Sequence, residues 1–293
     1  MKRNLKDYLI IALKGMGMGA ADVVPGVSGG TIAFVVGIYE ELIESIRSVN
    51  VGSLKLLLSL KLKKFWAAVN GSFLLSLVAG IAASFLLLAK TMTWLLQNER
   101  VLTYAFFFGL ILASTYYVSK RIAQWGWSSI AAFVLGSVVA VCVTMVSPAQ
   151  TPNDLWFIFL CGVVAICAMI LPGISGSFIL LLFSKYEYIM SALAELKMSV
   201  ILTFMCGAAI GITSFSHLLS WLFRRYHDVT VALLTGFMLG SLNKIWPWKE
   251  ALSEKNMLPN EHAIPAAALM LLGCAVIAVV EMASSRKEQK AQG

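Results

Sequence analysis

Six apolar segments, each long enough to cross a lipid bilayer, decide what this chain can fold into. They lie at 65–89, 101–118, 128–147, 198–223, 229–246 and 263–283. A helix needs about 20 consecutive apolar residues to cross the hydrocarbon core of a membrane. Of the 293 residues, 59% are hydrophobic and only 13% are charged, too few to cover a soluble protein with polar surface. The sequence therefore predicts an all-α integral membrane protein and excludes a soluble enzyme.

Two further apolar regions, at about 5–46 and 155–190, are interrupted near the middle by proline and glycine. The predicted turn residues are Pro25, Gly26, Pro172 and Gly173. Proline removes a helical hydrogen bond, and the glycine beside it relaxes the backbone. Arms of about 10–16 residues, only about 15–24 Å long as helices, are too short to span comfortably. Each region is predicted to be a re-entrant helical hairpin, the alternative being one spanning helix with a proline kink.

The two interrupted regions are copies of each other. Adding 147 to a residue number in the first region gives its counterpart in the second, so Val24 corresponds to Leu171. The first reads Val-Pro-Gly-Val-Ser-Gly-Gly and the second Leu-Pro-Gly-Ile-Ser-Gly-Ser, and the same offset aligns Glu40 with Glu187. Inverted repeats with broken helices are a recurring plan of secondary transporters, which bind substrate near the bilayer midplane. The internal copy therefore indicates a transporter built from two related halves.

A second internal similarity, between Gly109–Ser114 and Gly236–Ser241, extends the repeat into the spanning helices. The chain is predicted to divide into a first repeat at 1–147 and a second repeat at 148–293. Each repeat is one hairpin followed by three transmembrane helices. A hairpin returns to its own side of the membrane and three helices end on the opposite side. The two repeats must therefore have inverted topology.

The distribution of basic residues predicts which way the chain crosses the membrane. With both termini in the cytoplasm, cytoplasmic segments hold 15 of the 23 Lys and Arg residues and outer segments hold 7, while Lys14 lies within the first hairpin. Lys and Arg accumulate in the cytoplasmic loops of membrane proteins. We therefore expect a multi-pass protein with both termini cytoplasmic. The same bias explains the net charge of +8 without a nucleic-acid partner.

The repeated motif places small and hydroxyl residues where a new half-helix is predicted to begin. A helix N-terminus offers unpaired N–H groups and about half a positive charge, which favour phosphate or carboxylate. Two such termini facing each other would hold an anion from both sides, the alternative being that small residues only let helices pack closely. The predicted binding residues are Ser28, Gly29, Gly30, Thr31, Ser175, Gly176 and Ser177.

Ionisable residues near the membrane fall into two groups of candidates. Asp22, Glu40 and Glu187 are candidates for gating or for coupling to H⁺ or Na⁺, although Asp22 could simply cap the turn and the glutamates could be solvated. Basic residues that could pair with an anionic headgroup, or merely anchor the membrane boundary, are Arg47, Lys185, Arg224 and Arg225. The cysteines and histidines lack metal-ligand spacing, so we expect no metal and no other cofactor.

The run from Gly15 to Phe34, followed by Gly37-Ile-Tyr-Glu, resembles the polyprenyl-phosphate transporter family. These PopT-like undecaprenyl-phosphate translocases were formerly grouped as a domain of unknown function. The resemblance covers essentially the whole chain, including the Leu-Pro-Gly-Ile-Ser-Gly motif that begins at Leu171. It implies a transporter of the bacterial cytoplasmic (inner) membrane rather than an enzyme.

The resemblance also implies a substrate and a direction of transport. The implied partners are membrane lipids and undecaprenyl phosphate, the lipid carrier used in peptidoglycan and other cell-wall biogenesis. A flippase of this kind returns the carrier from the outer to the inner leaflet. Whether the protein is a monomer or a homodimer stays open. Two other functions stay open on the residues: a secondary transporter of a small soluble anion, and a membrane lipid phosphatase.

Overall fold

The computed structural model describes residues 3–24, 26–250, 255–260 and 262–292, and in these residues the chain is helical without a named strand. The helices are α1 (Leu5–Asp22), α2 (Gly29–Val35), α3 (Tyr39–Arg47), α4 (Val51–Leu58), α5 (Leu62–Ala68), α6 (Gly71–Asn98), α7 (Arg100–Ser119), α8 (Trp127–Met145), α9 (Leu155–Ile170), α10 (Gly176–Leu182), α11 (Tyr186–Ala194), α12 (Met198–Arg225), α13 (His227–Ser241) and α14 (Ala263–Gln292).

Five of the described helices, α6, α7, α8, α12 and α14, are long and apolar enough to cross a membrane. They confirm five of the six predicted spans. The sixth, predicted at 229–246, is not confirmed, because α13 has only 15 residues and ends at Ser241. The predicted start of the first span at 65 is also early. Asn70 adopts a left-handed conformation (φ 52°) that separates α5 from the beginning of α6.

At both interrupted regions the helix breaks and a short second helix follows. α2 packs against α1, and α10 packs against α9. Gly26 and Gly173 adopt φ of 88° and 89°, a region that glycine enters without strain, while Pro25 lies outside the described residues. The two helices at each break differ more in length than predicted. α1 and α9, before the breaks, have 18 and 16 residues, whereas α2 and α10, after the breaks, have only 7 each.

Eight of the described helices pack in four main pairs. α1 packs along α6 and α9 along α12, while α7 pairs with α14 and α8 with α13. Glycine permits the closest approaches, because a Cβ at Gly80 would collide with the Ala12 carbonyl oxygen. The last two pairs join helices from different halves of the sequence. The halves are therefore interlocked rather than packed as separate bodies.

Candidate functional site

The two breaks meet in the interior of the molecule. Thr31 accepts a hydrogen bond from the Gly173 N–H through its Oγ1 at 2.8 Å. The Ser28 hydroxyl donates to the Met169 and Leu171 carbonyl oxygens, at 3.4 Å each. Ser28 and Thr31 are 1% and 0% exposed. The first motif therefore packs against the second break, and its hydroxyl groups are bonded within the protein.

Asp22 and Ser28 together close the beginning of α2. One Asp22 carboxylate oxygen accepts the Gly29 N–H at 2.6 Å, and the Ser28 hydroxyl accepts the Gly30 N–H at 3.1 Å. A carboxylate at the start of a helix compensates the same N–H groups that an external anion would use. The protein thus supplies its own negative charge at the first break, as expected from the capping alternative for Asp22.

The second break differs because Met169 stands where the offset of 147 places the counterpart of Asp22. The Ser175 and Ser177 hydroxyls lie 2.7 Å apart, and Ser175 makes no side-chain capping bond to α10. Gly176 is buried, whereas Ser177 is exposed and lines a cavity. Of the seven predicted binding residues, Ser177 is the one that reaches this cavity among its described lining residues.

The cavity has a volume of about 810 Å³ and is strongly basic. Arg100, Lys244, Lys249 and Lys255 line it, and none of its described lining residues is acidic. We call it the basic cavity. Gly26 and Ser177 also line it, so it reaches both breaks. Cations gathered in a partly enclosed cleft attract anions more strongly than the same charges spread over an open surface.

Amide groups and an aromatic ring complete the polar part of the basic cavity. Asn256 donates to the side-chain oxygen of Asn243 at 2.8 Å, and Asn243 donates to the Thr144 hydroxyl at 2.7 Å. The Lys244 ammonium lies 4.7 Å from the centre of the Phe178 ring on α10. Lys244 also packs against Gly26, so it contacts the first break and the returning helix of the second.

Acidic residues of α3 bind basic residues of α12 and α13 at a second cluster, which we call the ion-paired end. Glu44 accepts hydrogen bonds from Ser220 at 2.5 Å and from Arg224 at 3.1 Å, and Glu40 lies 3.3 Å from His227. Burial raises the pKa of the Glu44 carboxyl, but hydrogen bonds from Ser220 and Arg47 and the charge of Arg224 outweigh it and leave the pKa below its usual value.

The family model described as undecaprenyl phosphate translocase-like matches residues 18–264, a range that contains both breaks and the basic cavity. The chain belongs to this family. A polyprenyl-phosphate transporter of Vibrio cholerae is 48% identical over 253 residues, which cover 86% of this chain and 82% of that protein. A polyprenyl-phosphate transporter of Staphylococcus aureus is 30% identical over 80% of this chain and 85% of its own length. No solved structure matches the chain.

The four predicted headgroup partners do not line the basic cavity in this member of the translocase-like family. Arg47 and Arg224 bind Glu44 instead. Arg225 stacks against Tyr226. Lys185 is 3% exposed and donates to the Thr151 carbonyl oxygen and to the Asn153 side chain. Glu187, which the repeat aligns with Glu40, is exposed.

The basic residues that line the cavity were not among the predicted binding residues. Arg100, Lys244, Lys249 and Lys255 were expected only in outer segments, although Lys244 stands shortly after the repeated Gly236–Ser241 motif. That position, together with the clustering of the three lysines between 244 and 255, was the available signal. Nothing in the sequence connects Arg100 to this cluster, because Arg100 belongs to the first half of the chain and the lysines to the second.

Proposed function

We propose that this chain is a flippase that returns undecaprenyl phosphate from the outer to the inner leaflet of the bacterial cytoplasmic membrane. The carrier would then be reused for peptidoglycan and other envelope glycans. The names of the two relatives and the family model support this substrate class. The observation that carries the proposal is the basic cavity, which brings four cationic side chains to the interrupted helices.

The chemistry of the substrate fits a site of this kind. A polyprenyl phosphate has a small anionic head that cannot cross hydrocarbon unaided and a long apolar tail that never needs to leave it. Arg100 can bind two phosphate oxygens at once, and Lys244, Lys249 and Lys255 add charge-assisted bonds. The Ser177 hydroxyl can donate one more. The tail would remain in the surrounding lipid while the head occupies the cavity.

The proposed mechanism is alternating access about the two re-entrant hairpins. With both termini cytoplasmic and the repeats inverted, the cavity residues belong to outer segments and the ion-paired end faces the cytoplasm. The described arrangement then corresponds to a protein that is open to the outer leaflet and closed toward the cytoplasm. Release of the headgroup requires separation of α3 from α12. Glu40, through its contact with His227, would take part in that gate.

Asp22 is the proposed site of coupling to H⁺ or Na⁺. It is the acidic residue at the first break, and its carboxylate occupies the beginning of α2 through the Gly29 N–H. Protonation or cation binding there would weaken that bond and leave the Gly29 N–H available to the phosphate as it passes. The first motif would thus serve a later stage of transport than Ser175, Gly176 and Ser177.

Movement of a labelled polyprenyl phosphate between leaflets, in vesicles that contain only this protein, tests the proposal. We expect the K244Q/K249Q variant to lose at least about tenfold in rate, because each charge-assisted contact contributes about 1.5–3 kcal/mol. The matched control is K90Q/K197Q, which makes the same charge change at two exposed lysines outside the cavity. Equal rates in the two variants would contradict the assignment of the cavity.

The same vesicles separate the two other functions. A transporter of a soluble anion would accumulate inorganic phosphate and would show competition between that ion and the lipid. A lipid phosphatase would release inorganic phosphate from the labelled substrate. Either result without movement of the intact lipid would replace the flippase proposal.

A further inference from the structure

Helices α4 and α5 form a unit, residues 51–68, that has no counterpart in the described part of the second half. The distance in sequence from α3 to α11 equals the offset between the two breaks, but the distance from α6 to α12 is shorter. The residues missing between α11 and α12 correspond to the α4–α5 unit and its flanking turns. Since the second half completes its hairpin and its helix pair without it, the unit is not needed to build the repeat.

The α4–α5 unit cannot cross a membrane. Its helices have 8 and 7 residues, so each is only about 10–12 Å long. Asn50 caps α4 through a reciprocal capping box, and Leu60 (φ 56°) turns the chain between the two helices. The Trp66 ring packs against Gly71, and its indole N–H donates to the Ser72 hydroxyl at 2.9 Å. The unit is therefore held at the beginning of the spanning helix α6.

The surface of the α4–α5 unit is at once apolar and basic. Its exposed large apolar side chains include Val51, Leu54, Leu58, Leu60, Leu62 and Trp66. Its exposed basic side chains are Lys55, Lys61, Lys63 and Lys64. No Asp or Glu occurs in the sequence between Glu44 and Glu99. So many exposed apolar side chains in one short segment are typical of an interaction site, and the positive charges of the segment favour an anionic partner.

We propose that the α4–α5 unit lies in the membrane interface and binds the headgroups of anionic phospholipids. Leucines and the Trp66 ring would insert between the lipids, as interfacial helices and aromatic anchors do. The lysines would meet lipid phosphates at the surface of the same leaflet. The position of the unit at the beginning of α6 supports a bilayer as the partner, because the end of a spanning helix lies at this depth.

Hydrogen exchange of the peptide covering 51–68 tests this proposal on the full chain in lipid nanodiscs. The discs contain phosphatidylcholine alone or a mixture with phosphatidylglycerol. We expect exchange in the α4–α5 unit to slow at least roughly tenfold when phosphatidylglycerol is present. The protection should weaken in high salt, since surface charges are screened there. Exchange that is the same in both lipid mixtures would overturn the proposal.

A pair of charge-matched variants shows whether the lysines carry the effect. K55Q/K61Q/K63Q/K64Q should lose the dependence on phosphatidylglycerol, whereas K6Q/K90Q/K120Q/K197Q should keep it. Retention of the full effect in the first variant would also overturn the proposal. Protection found only in discs with two copies of the chain would overturn it in favour of self-association. Because lipid movement is not the readout, the outcome is independent of the flippase proposal.

Discussion

Replacing Glu44 by glutamine should open the ion-paired end of the molecule. Glu44 on α3 accepts hydrogen bonds from Ser220 at 2.5 Å and from Arg224 at 3.1 Å on both carboxylate oxygens. Both donors belong to α12, in the other half of the sequence. The substitution keeps the shape of the side chain and removes the charge. It therefore weakens the polar contacts that tie α3 to α12 and leaves the apolar packing in place.

The magnitude follows from the exposure of these groups. The Glu44 side chain is 43% exposed and Arg224 is 62% exposed, so their ion pair contributes only about 0.2–1 kcal/mol. The hydrogen bond from Ser220 also changes from a charged to a neutral acceptor, and charged acceptors contribute about 1 kcal/mol more. Together these losses reach about 1–2 kcal/mol. An equilibrium between closed and open ends would then shift by roughly five- to thirtyfold.

Distance measurements between a spin label just after α3 and one on α12 provide the assay. Labels at Ser48 and Trp221, in a background without the five cysteines, should report a larger population of long distances in E44Q than in the parent. The matched control is E195Q, which removes an exposed glutamate paired with Lys197 within the second half. Identical distance distributions in E44Q, E195Q and the parent would refute the conclusion that Glu44 holds this end closed.

Two further predictions concern the packing of the interior. Gly80→Leu should reduce the thermal stability of the detergent-solubilised protein by several degrees, because its side chain meets the Ala12 carbonyl oxygen, whereas Gly126→Leu, which has open space, should leave it unchanged. Thr31→Val removes the acceptor of the buried Gly173 N–H and should lower the unfolding free energy by about 1–3 kcal/mol. Thr31→Ser keeps a hydroxyl acceptor and should therefore retain most of the stability of the parent. Equal losses in Val and Ser variants, measured by chemical denaturation, would show that this hydrogen bond is unimportant.

The breaks were predictable from the sequence because their cause is local. Proline, glycine and a following serine interrupt a helix wherever they occur together, and Gly26 and Gly173 adopt the left-handed conformation that such a turn requires. The lengths of the returning helices were not predictable. α2 ends before Gly37 (φ 71°) and α10 before Ser184 (φ 51°), at positions that the apolar pattern does not mark.

The basic cavity shows why the candidate site was only partly predictable. An arginine at the end of a spanning helix has the same sequence context whether it faces a cavity, as Arg100 does, or binds a carboxylate, as Arg224 does. The partner decides between these roles, and the partner comes from a distant segment. Ser28 and its counterpart Ser175 illustrate the same point, because nearly identical motifs let Ser28 cap α2, whereas Ser175 makes no side-chain capping bond to α10.

The two halves of the chain differ in their contacts. α3 packs on α12, whereas no contact of comparable extent joins the equivalent helices α11 and α6 within the described residues. After the first break, α2 also contacts α7 and α9, and Asp22 caps its beginning. The second break has Met169 in place of that carboxylate, and Ser177 beside it borders the cavity. Under the proposed alternating-access mechanism, exchange of these two arrangements between the halves would move the opening from one end of the molecule to the other.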